Sequence, residues 1–224
     1  MRTRMLVLSA LSGAALLASA LPAAAAGDGG NPIGAAELLA KVKKCTQVSR
    51  GKYRTDQGAA ATVPVCGTDE AVFWEADMDI DCDGRITTAC NTRTDPAFQP
   101  QTAFQGSDGK PLDSARVPYV VVPGPGPLWN HTGSGIKGGG VAAVIHDGKV
   151  RYAVVGDTGP TGIIGEGSYA LAEELGIDPD PRTGGTASGV TYILFKNSRV
   201  SPIESRAAAV SAGETLARKF AGGA

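Results

Sequence analysis

Acidic side chains stand in three short, glycine-bounded segments of this sequence. The first is M-D-I-D-C-D-G at 78–84, the second is G-D-T-G at 156–159, and the third is I-G-E-G-S at 164–168. Two carboxyl groups act as general acid and general base when one is protonated and the other is ionised. Such a pair can cleave a glycosidic bond. The pattern therefore predicts a cleft for acid–base hydrolysis, with glycines leaving room for a substrate.

Asp157 and Glu166 are the strongest candidates for this catalytic pair. They lie nine residues apart, across a predicted strand end, a glycine turn and the start of a predicted helix. One would protonate the leaving oxygen while the other activates water or attacks the sugar. Each residue alone is a weak signal, because an Asp that caps a turn and a Glu that faces solvent would give the same pattern.

A strip of four Asp residues alternates with apolar residues just before Gly84. Side chains alternate between the two faces of a strand, so these carboxylates are expected to share one face while their neighbours enter the core. Four like charges repel one another, and the strip should therefore face solvent, a cation or a polycationic ligand. We expect it to bind substrate through ammonium groups, with a structural acidic turn as the alternative. The strip consists of Asp77, Asp79, Asp81 and Asp83.

The same strip resembles the opening of a calcium-binding loop, in which carboxylates alternate before a glycine. The twelfth position of such a loop needs a Glu and is Cys90 here, which excludes a full EF-hand and leaves a partial calcium site open. Zinc is disfavoured, because no C-x-x-C occurs and only His131 and His146 could assist. We expect no metal and no cofactor, and we assign neither histidine a catalytic role.

The N-terminus predicts export. Arg2 and Arg4 precede an apolar run over residues 5–21, which ends in Pro22 and the alanine tract 23–26. This pattern is typical of a cleaved secretory signal peptide rather than of a membrane anchor. We therefore expect residues 1–26 to be a leader and residues 27–224 to be one secreted, extracellular catalytic domain.

The size and net charge of the mature protein limit its number of domains and its possible partners. Its 198 residues (224 minus 26) suffice for one domain with a sizeable core. Without Arg2 and Arg4, 19 of the 21 basic residues remain against 22 acidic ones, a net charge of −3. No basic run is present to neutralise phosphates, so we expect no nucleic-acid partner. We also expect a monomer.

Four cysteines survive removal of the leader, and an even count in an exported chain favours two disulfides. Three pairings are possible. We favour Cys45 with Cys66 and Cys82 with Cys90, because each closes a short local loop, although the sequence alone leaves the crossed pairings open.

The elements that must position the acidic residues are mainly strands. Residues 71–81, 117–122 and 190–195 are strand candidates, and 141–145 with 149–155 form a predicted hairpin around an Asp-Gly turn. The hairpin delivers Asp157 at the end of its second strand. Residues 84–116 show no sustained period, and so long a segment can wall a cleft.

Three helical regions are predicted around these strands. Residues 35–44 have helix-forming composition, and residues 204–220 should form one or two helices weakened at Gly213. A short helix should begin after Ser168, run through Leu175 and end at Gly176. Glu166 would then lie just ahead of a helix N-terminus.

Several segments, taken in order, resemble the chitosanases of glycoside hydrolase family 75. They are V-F-W-E-A-D-M-D-I-D-C-D-G at 72–84, V-P-Y-V-V-V-P at 117–123, the run from G-G-G-V to G-D-T at 138–158, I-I-G-E-G-S at 163–168 and G-V-T-Y-I-L-F at 189–195. The resemblance implies endo-hydrolysis of chitosan with inversion by the Asp of G-D-T and the Glu of I-G-E. These are Asp157 and Glu166, and the connection at 159–162 is shorter than in fungal members.

The resemblance leaves the roles of the two carboxyl groups to be assigned. Inversion requires them to stand roughly 6.5–9.5 Å apart, with water between the base and the sugar. We expect Glu166 to be the general acid and Asp157 the general base. A helix N-terminus beside Glu166 would oppose this, since it stabilises the ionised form, and burial would have to outweigh it.

The order of strand, D-T-G, glycine turn, acidic residue and short helix also resembles the double-psi β-barrel of endoglucanases and bacterial lytic transglycosylases. The predicted fold is a mainly β, single-domain, double-psi-like barrel with peripheral helices. Alternative functions are a peptidoglycan lytic transglycosylase and a non-catalytic extracellular carbohydrate-binding domain. Trp129, in a glycine-rich loop, is the candidate for stacking on a sugar, and a place in the core is its alternative.

Overall fold

The computed structural model describes residues 32–222, so the predicted leader, residues 1–26, lies outside the described residues. Within this range the chain forms eight strands and three α-helices. None of these helices is long and apolar enough to cross a membrane. The strands are β1 Gln47–Tyr53, β2 Val63–Gly67, β3 Ala71–Asp81, β4 Tyr119–Pro123, β5 Val141–His146, β6 Lys149–Gly159, β7 Glu166–Ser168 and β8 Thr186–Phe195. The helices are α1 Ala35–Lys41, α2 Tyr169–Leu175 and α3 Arg206–Gly222.

Six of the strands close into a barrel. Their hydrogen-bonded order is β3, β7, β4, β6, β5 and β8, and β8 pairs with β3 again. The pairs β3–β7 and β4–β6 are parallel, whereas the other pairs of the ring are antiparallel. Strands β1 and β2 extend the sheet outward from β3. The predicted mainly β, single-domain barrel with peripheral helices is confirmed.

Alternation along the strands sorts the apolar side chains into two clusters. On β3, Trp74 and Met78 face one cluster together with Tyr192 of β8, and the rings of Trp74 and Tyr192 stack with centroids 5.4 Å apart. Phe73 and Ile193 face the other cluster, where α1 and α3 cover the outside of the barrel. Burial on both faces makes these strands near-continuously apolar.

The helix predictions are largely confirmed. The hydroxyl of Ser168 caps α2 by accepting a hydrogen bond from the Leu171 amide, and Gly176 ends the helix in the left-handed conformation. Helix α3 is a single helix that continues through Gly213. Helix α1 ends at Lys41, three residues before the predicted end.

Local connections also follow the sequence. Asp147 and Gly148 both have positive φ, at 45° and 73°, as the predicted two-residue hairpin turn requires. The disulfides are Cys45–Cys66 and Cys82–Cys90, as favoured above. The first joins the residues just before β1 to β2, and the second joins the residue just after β3 to the long segment at 84–116, which contains no helix or named strand.

Ser168 is a buried junction between β4, β7 and α2. Its side chain is 0% exposed, and its Oγ accepts hydrogen bonds from the amides of Leu171 at 3.2 Å and Tyr119 at 2.9 Å. The same hydroxyl donates to the Val117 carbonyl at 2.9 Å. One side chain therefore satisfies three backbone groups that have no route to water.

Replacing Ser168 by Ala should lower the free energy of unfolding by about 2–3 kcal/mol, because the helix loses its cap and buried backbone groups lose their partner. Urea denaturation followed by circular dichroism measures the change. Ser188→Ala, at an exposed position of β8, is the matched control and should change stability by less than about 0.5 kcal/mol. Equal effects of the two substitutions would contradict this role for Ser168.

Candidate active site

Four adjacent strands align three carboxyl groups in one row. Asp79 of β3 is registered with Glu166 of β7, and Glu166 with Val121 of β4. On its other side, Val121 is registered with Asp157 of β6. Directly registered residues on neighbouring strands project from the same face of a sheet. Glu166 and Asp157 therefore flank Val121 and point the same way.

A β-bulge in β6 sets the direction of Asp157. Val120 pairs with Val155, but the next residue, Val121, pairs with Asp157, so Gly156 is an extra residue with no partner on β4. Without this irregularity, alternation would turn the Asp157 side chain to the opposite face of the sheet. Strand β6 also continues to Gly159, which puts Asp157 inside the strand and not at its end.

The row lies in a cavity of about 530 Å³. Strands β3, β4, β6 and β7 form its floor, and the segment 84–116 contributes Asp95 and Ala97 to one wall, as expected for a segment that walls a cleft. The loop after α2 contributes Asp180 and Arg182. The acidic lining residues are Asp79, Asp81, Asp83, Asp95, Asp157, Glu166 and Asp180, and Arg182 is the one basic lining residue among residues 32–222.

Two lining residues, Asp95 and Asp180, were not singled out from the sequence. Each is followed by proline, and such Asp-Pro dipeptides indicate turns without indicating which cleft the turn approaches. Arg182 joins the loops that carry them, since its guanidinium donates to the carbonyls of Thr94 at 2.9 Å and Arg93 at 2.6 Å. The two walls of the cavity are therefore linked.

Asp157 is buried and held by two backbone amides. Its side chain is 6% exposed, and Oδ1 accepts hydrogen bonds from the amides of Ala103 and Thr158, both at 2.7 Å. Burial raises the pKa of this carboxyl, while the two amides act in the opposite direction by favouring the ionised form. The two amides thus stabilise the ionised carboxylate of Asp157 although it is buried.

Glu166 has a different environment. Burial raises the pKa of its carboxyl to about 7, and the charges of Asp79, Asp83 and Asp157 add to this effect. No hydrogen bond from residues 32–222 reaches the carboxylate, so no donor stabilises its ionised form. The residue lies in β7, and the cap of α2 is Ser168. Glu166 therefore lies two residues ahead of the cap of α2, and burial is the largest cause of its pKa shift.

Two acidic residues at and just beyond the end of β3 lie beside Asp157. Asp81, Asp83 and Asp157 each place a carboxylate oxygen within 4.8 Å of the other two. Asp81 accepts a hydrogen bond from the Asp83 amide, and Asp83 accepts one from the Gln99 amide, both at 2.6 Å. Burial raises the pKa of Asp83 to about 6 and that of Asp81 well above its ordinary range.

Asp77 does not join the other three Asp residues of the strip in the cavity. Its side chain is 4% exposed and is absent from the lining. A register shift between Ala76 and Met78 in the β3–β8 pairing accompanies this departure from strict alternation. Burial, followed by the charge of Asp79, raises the pKa of Asp77 to about 7.

Trp129 also lies outside the cavity, in the core. Its side chain is 5% exposed, its indole nitrogen donates to the Ser134 hydroxyl at 2.7 Å, and its ring packs against Trp74 with centroids 6.3 Å apart. The structure places Trp129 in the core, which is the alternative stated above for this residue, so its nearly buried ring offers little surface to a sugar.

Several curated proteins are similar to this chain. Endo-chitosanase C of Aspergillus oryzae is 31% identical over 77% of this chain and 48% of its own length. An endo-chitosanase of Aspergillus fumigatus is 32% identical over 58% of this chain and 60% of its own length. Endo-chitosanase B of Aspergillus oryzae (strain ATCC 42149 / RIB 40) is 29% identical over 71% and 73%, respectively. The chain thus spans about half the length of the first of these curated relatives.

A family match covers the catalytic candidates themselves. Residues 78–220 match the family described as fungal chitosanase of glycosyl hydrolase group 75. The matched region includes Asp157 and Glu166 and the strands that hold them in register. Since it also makes up more than half of the 224 residues, the chain belongs to the group 75 chitosanase family of glycosyl hydrolases.

Proposed function

We propose that this protein is a secreted endo-chitosanase that hydrolyses β-1,4 bonds between glucosamine units with inversion at the anomeric carbon. The observation that carries the proposal is the registered row in which Glu166 and Asp157 flank Val121 on the floor of an acidic cavity. Membership of the family and the names of the relatives support chitosan as the substrate.

Glu166 is the general acid in this mechanism. Its raised pKa favours a protonated carboxyl, because burial and the charges of the neighbouring carboxylates disfavour the ionised form. Glu166 donates that proton to the glycosidic oxygen as the bond to the anomeric carbon breaks. The leaving sugar departs with a neutral hydroxyl, and Glu166 becomes ionised.

Asp157 is the general base. Two backbone amides fix its carboxylate and favour its negative charge. Asp157 takes one proton from a water molecule while the water oxygen attacks the anomeric carbon from the face opposite the leaving group. The hydroxyl of the water stays on the sugar, and the two carboxyl groups exchange their protons with solvent before the next cycle.

The spacing of the two residues supports inversion. Neighbouring strands lie about 4.8 Å apart, so two strand spacings separate the Cα atoms of Glu166 and Asp157 by about 10 Å. The Glu166 side chain leans across β4, since its Oε2 lies 2.6 Å from the position that a Cβ would take on Gly159. This lean brings the carboxyl groups toward the roughly 6.5–9.5 Å that leaves room for a water molecule.

The lining of the cavity suits a cationic polysaccharide. Asp79 and Asp81 of β3 and Asp83, two residues beyond it, line the cavity, and we assign them to binding the ammonium groups of glucosamine units. Asp95 and Asp180 extend this negative lining onto the two walls. The two disulfides support secretion into an oxidising environment. The monomeric state and the absence of a nucleic-acid partner remain predictions.

Asp157→Asn and Glu166→Gln should each lower kcat on chitosan by about 10²–10⁴-fold, because each removes one proton-transfer step. Release of reducing ends from chitosan, with chitin and peptidoglycan assayed beside it, measures the effect. Asp147→Asn is the matched control, because it is exposed in a hairpin turn and Asn tolerates the positive φ found there.

Several results of that assay would reject the proposal. Wild-type inactivity on chitosan would exclude the substrate, and near-full activity of either variant would exclude that residue. Anhydro-sugar ends from peptidoglycan would identify a lytic transglycosylase, and binding without cleavage a carbohydrate-binding domain. Proton NMR of the first products should show the α anomer, and the β anomer would exclude inversion.

Activity should fall as pH rises through about 7, because Glu166 must be protonated to act and its pKa is raised to about that value. Asp83→Asn removes one of the charges that raise this pKa, so the alkaline limb of the kcat/KM profile should move to lower pH. The amines of the substrate titrate equally for both enzymes. If the alkaline limb did not move, or if Asp147→Asn moved it equally, the limb would not report the ionisation of Glu166.

Gly159→Ala should lower kcat by about 10-fold or more with a smaller change in KM, because the new Cβ would meet Oε2 of Glu166 at 2.6 Å and displace it. Steady-state kinetics on chitosan measure the two constants. Gly162→Ala is the matched control, since a Cβ there meets nothing within 4 Å. Equal kcat values for the two variants would show that the position of the Glu166 carboxyl is not limiting.

A further inference from the structure

A second acidic cluster lies beside the catalytic row and has no role in the mechanism above. It brings Asp56, in the connection between β1 and β2, against Asp77 and Asp79 of β3. One carboxylate oxygen from each of the three lies within 4.8 Å of the other two. Asp56 and Asp79 are exposed, whereas Asp77 is buried.

Asp77 supplies a second, independent observation that points to a ligand. Its side chain is 4% exposed, yet its Oδ1 has no hydrogen-bond partner. A buried carboxylate oxygen without a partner costs free energy, and native structures rarely leave one uncompensated. Among residues 32–222, no Lys, Arg or His forms an ion pair with any member of the cluster. The described chain therefore supplies no cation to the cluster. The backbone amide of Asp77 lowers the pKa of that carboxyl, and the Thr55 hydroxyl donates to Asp56 at 3.5 Å, but neither contributes a positive charge.

The cluster around Asp157 differs in this respect. Each of its carboxylates accepts at least one backbone hydrogen bond, from Asp83 to Asp81, from Gln99 to Asp83, and from Ala103 and Thr158 to Asp157. Those groups are compensated by the protein itself. Asp77, in contrast, has a buried carboxylate oxygen without a hydrogen-bond partner, so a cation would be stabilised there.

We infer that Asp56, Asp77 and Asp79 bind a divalent cation of the calcium class. Oxygen-only ligands suit hard cations, and the cluster contains no imidazole or thiolate that would favour zinc or copper. Calcium–oxygen distances of about 2.3–2.6 Å place ligands on opposite sides of one ion about 4.6–5.2 Å apart. The observed limit of 4.8 Å therefore fits a single ion, with exposed Asp56 leaving room for water to complete the coordination.

A bare ion fits this place better than an ammonium group on a sugar. Asp77 is buried and does not line the catalytic cavity, so a polysaccharide lying in that cavity would not reach it. Calcium, in contrast, can be coordinated by carboxylates at different depths, each through one or both oxygens. The site is thus distinct from the substrate-binding surface, although Asp79 borders both.

The ion would fasten the β1–β2 connection to the barrel next to the segment that leads to Glu166. The amide of Arg54 donates to the Gly162 carbonyl at 3.1 Å, and the amide of Asp79 donates to the Gly165 carbonyl at 2.7 Å. The segment between Gly162 and Gly165 is therefore held between the two parts of the chain that would share the ion. Binding should stabilise the fold.

Thermal unfolding of EDTA-treated protein tests the site. Adding 10 mM calcium chloride should raise the Tm by about 3–6 °C, as expected for a Kd of about 10⁻⁴–10⁻³ M. Asp56→Asn should abolish the shift, and because Asp56 is exposed this variant should fold. Asp69→Asn, another exposed Asp, and Asp83→Asn, in the other cluster, should keep the shift. Isothermal titration calorimetry should show the same pattern of binding and loss.

Three results would overturn the inference. One is the absence of both a Tm shift and binding heat in the wild type, and another is an undiminished shift in Asp56→Asn. The third is an Asp56-dependent shift with glucosamine hydrochloride but none with calcium, which would assign the cluster to substrate. Repeating the titration with Glu166→Gln separates this inference from the proposed function, because calcium binding should survive the loss of hydrolysis.

Discussion

The hydrogen-bond register around β4 is the constraint on which the arrangement of the candidate catalytic pair depends. Strand β7 has three residues and lies between β3 and β4, while β6 pairs with β4 on its other side. Because both partners meet β4 at Val121, the separation of Glu166 and Asp157 is set by strand spacing and not by loop conformation. A slip of one residue in either pairing would turn a carboxyl group to the opposite face. Closure of the barrel resists such a slip, since no strand of the ring has a free edge.

The two buried carboxyl groups differ in the hydrogen bonds that oppose the effect of burial on their pKa values. Both are removed from water, which raises both pKa values. Asp157 receives two amide hydrogen bonds that compensate its charge, whereas Glu166 faces other carboxylates and receives none from the described chain. Hydrogen bonding to one carboxylate lowers its pKa, and repulsion by like charges raises the pKa of the other. A general acid and a general base require such a difference between their pKa values.

Local signals predicted much of this molecule, and long-range contacts account for what was missed. The ends of β3, the caps of α2 at Ser168 and Gly176, and the Asp147–Gly148 turn all depend on residues close in sequence. The sequence therefore predicted each of these features. The two disulfides close short loops and were favoured correctly. The bulge at Gly156 could not be predicted, because it exists only relative to the partner strand. The core position of Trp129, 55 residues along the chain from Trp74, likewise depends on contacts between distant segments. The contribution of Asp180 to the cavity and the approach of Asp56 to β3 have the same origin.

The attraction of this site for a cation is a local property. The whole chain has a formal net charge of −1, which by itself would favour no particular ligand. In the cavity, Arg182 is the one basic residue that the described chain contributes, and two of its five donors bind the carbonyls of Thr94 and Arg93. These hydrogen bonds link the two walls, and among residues 32–222 no ion pair joins Arg182 to a lining carboxylate. A concave site lined mainly by charges of one sign concentrates their electric field. A cavity of about 530 Å³ with such a lining can therefore favour a positively charged polymer although the whole chain is nearly neutral.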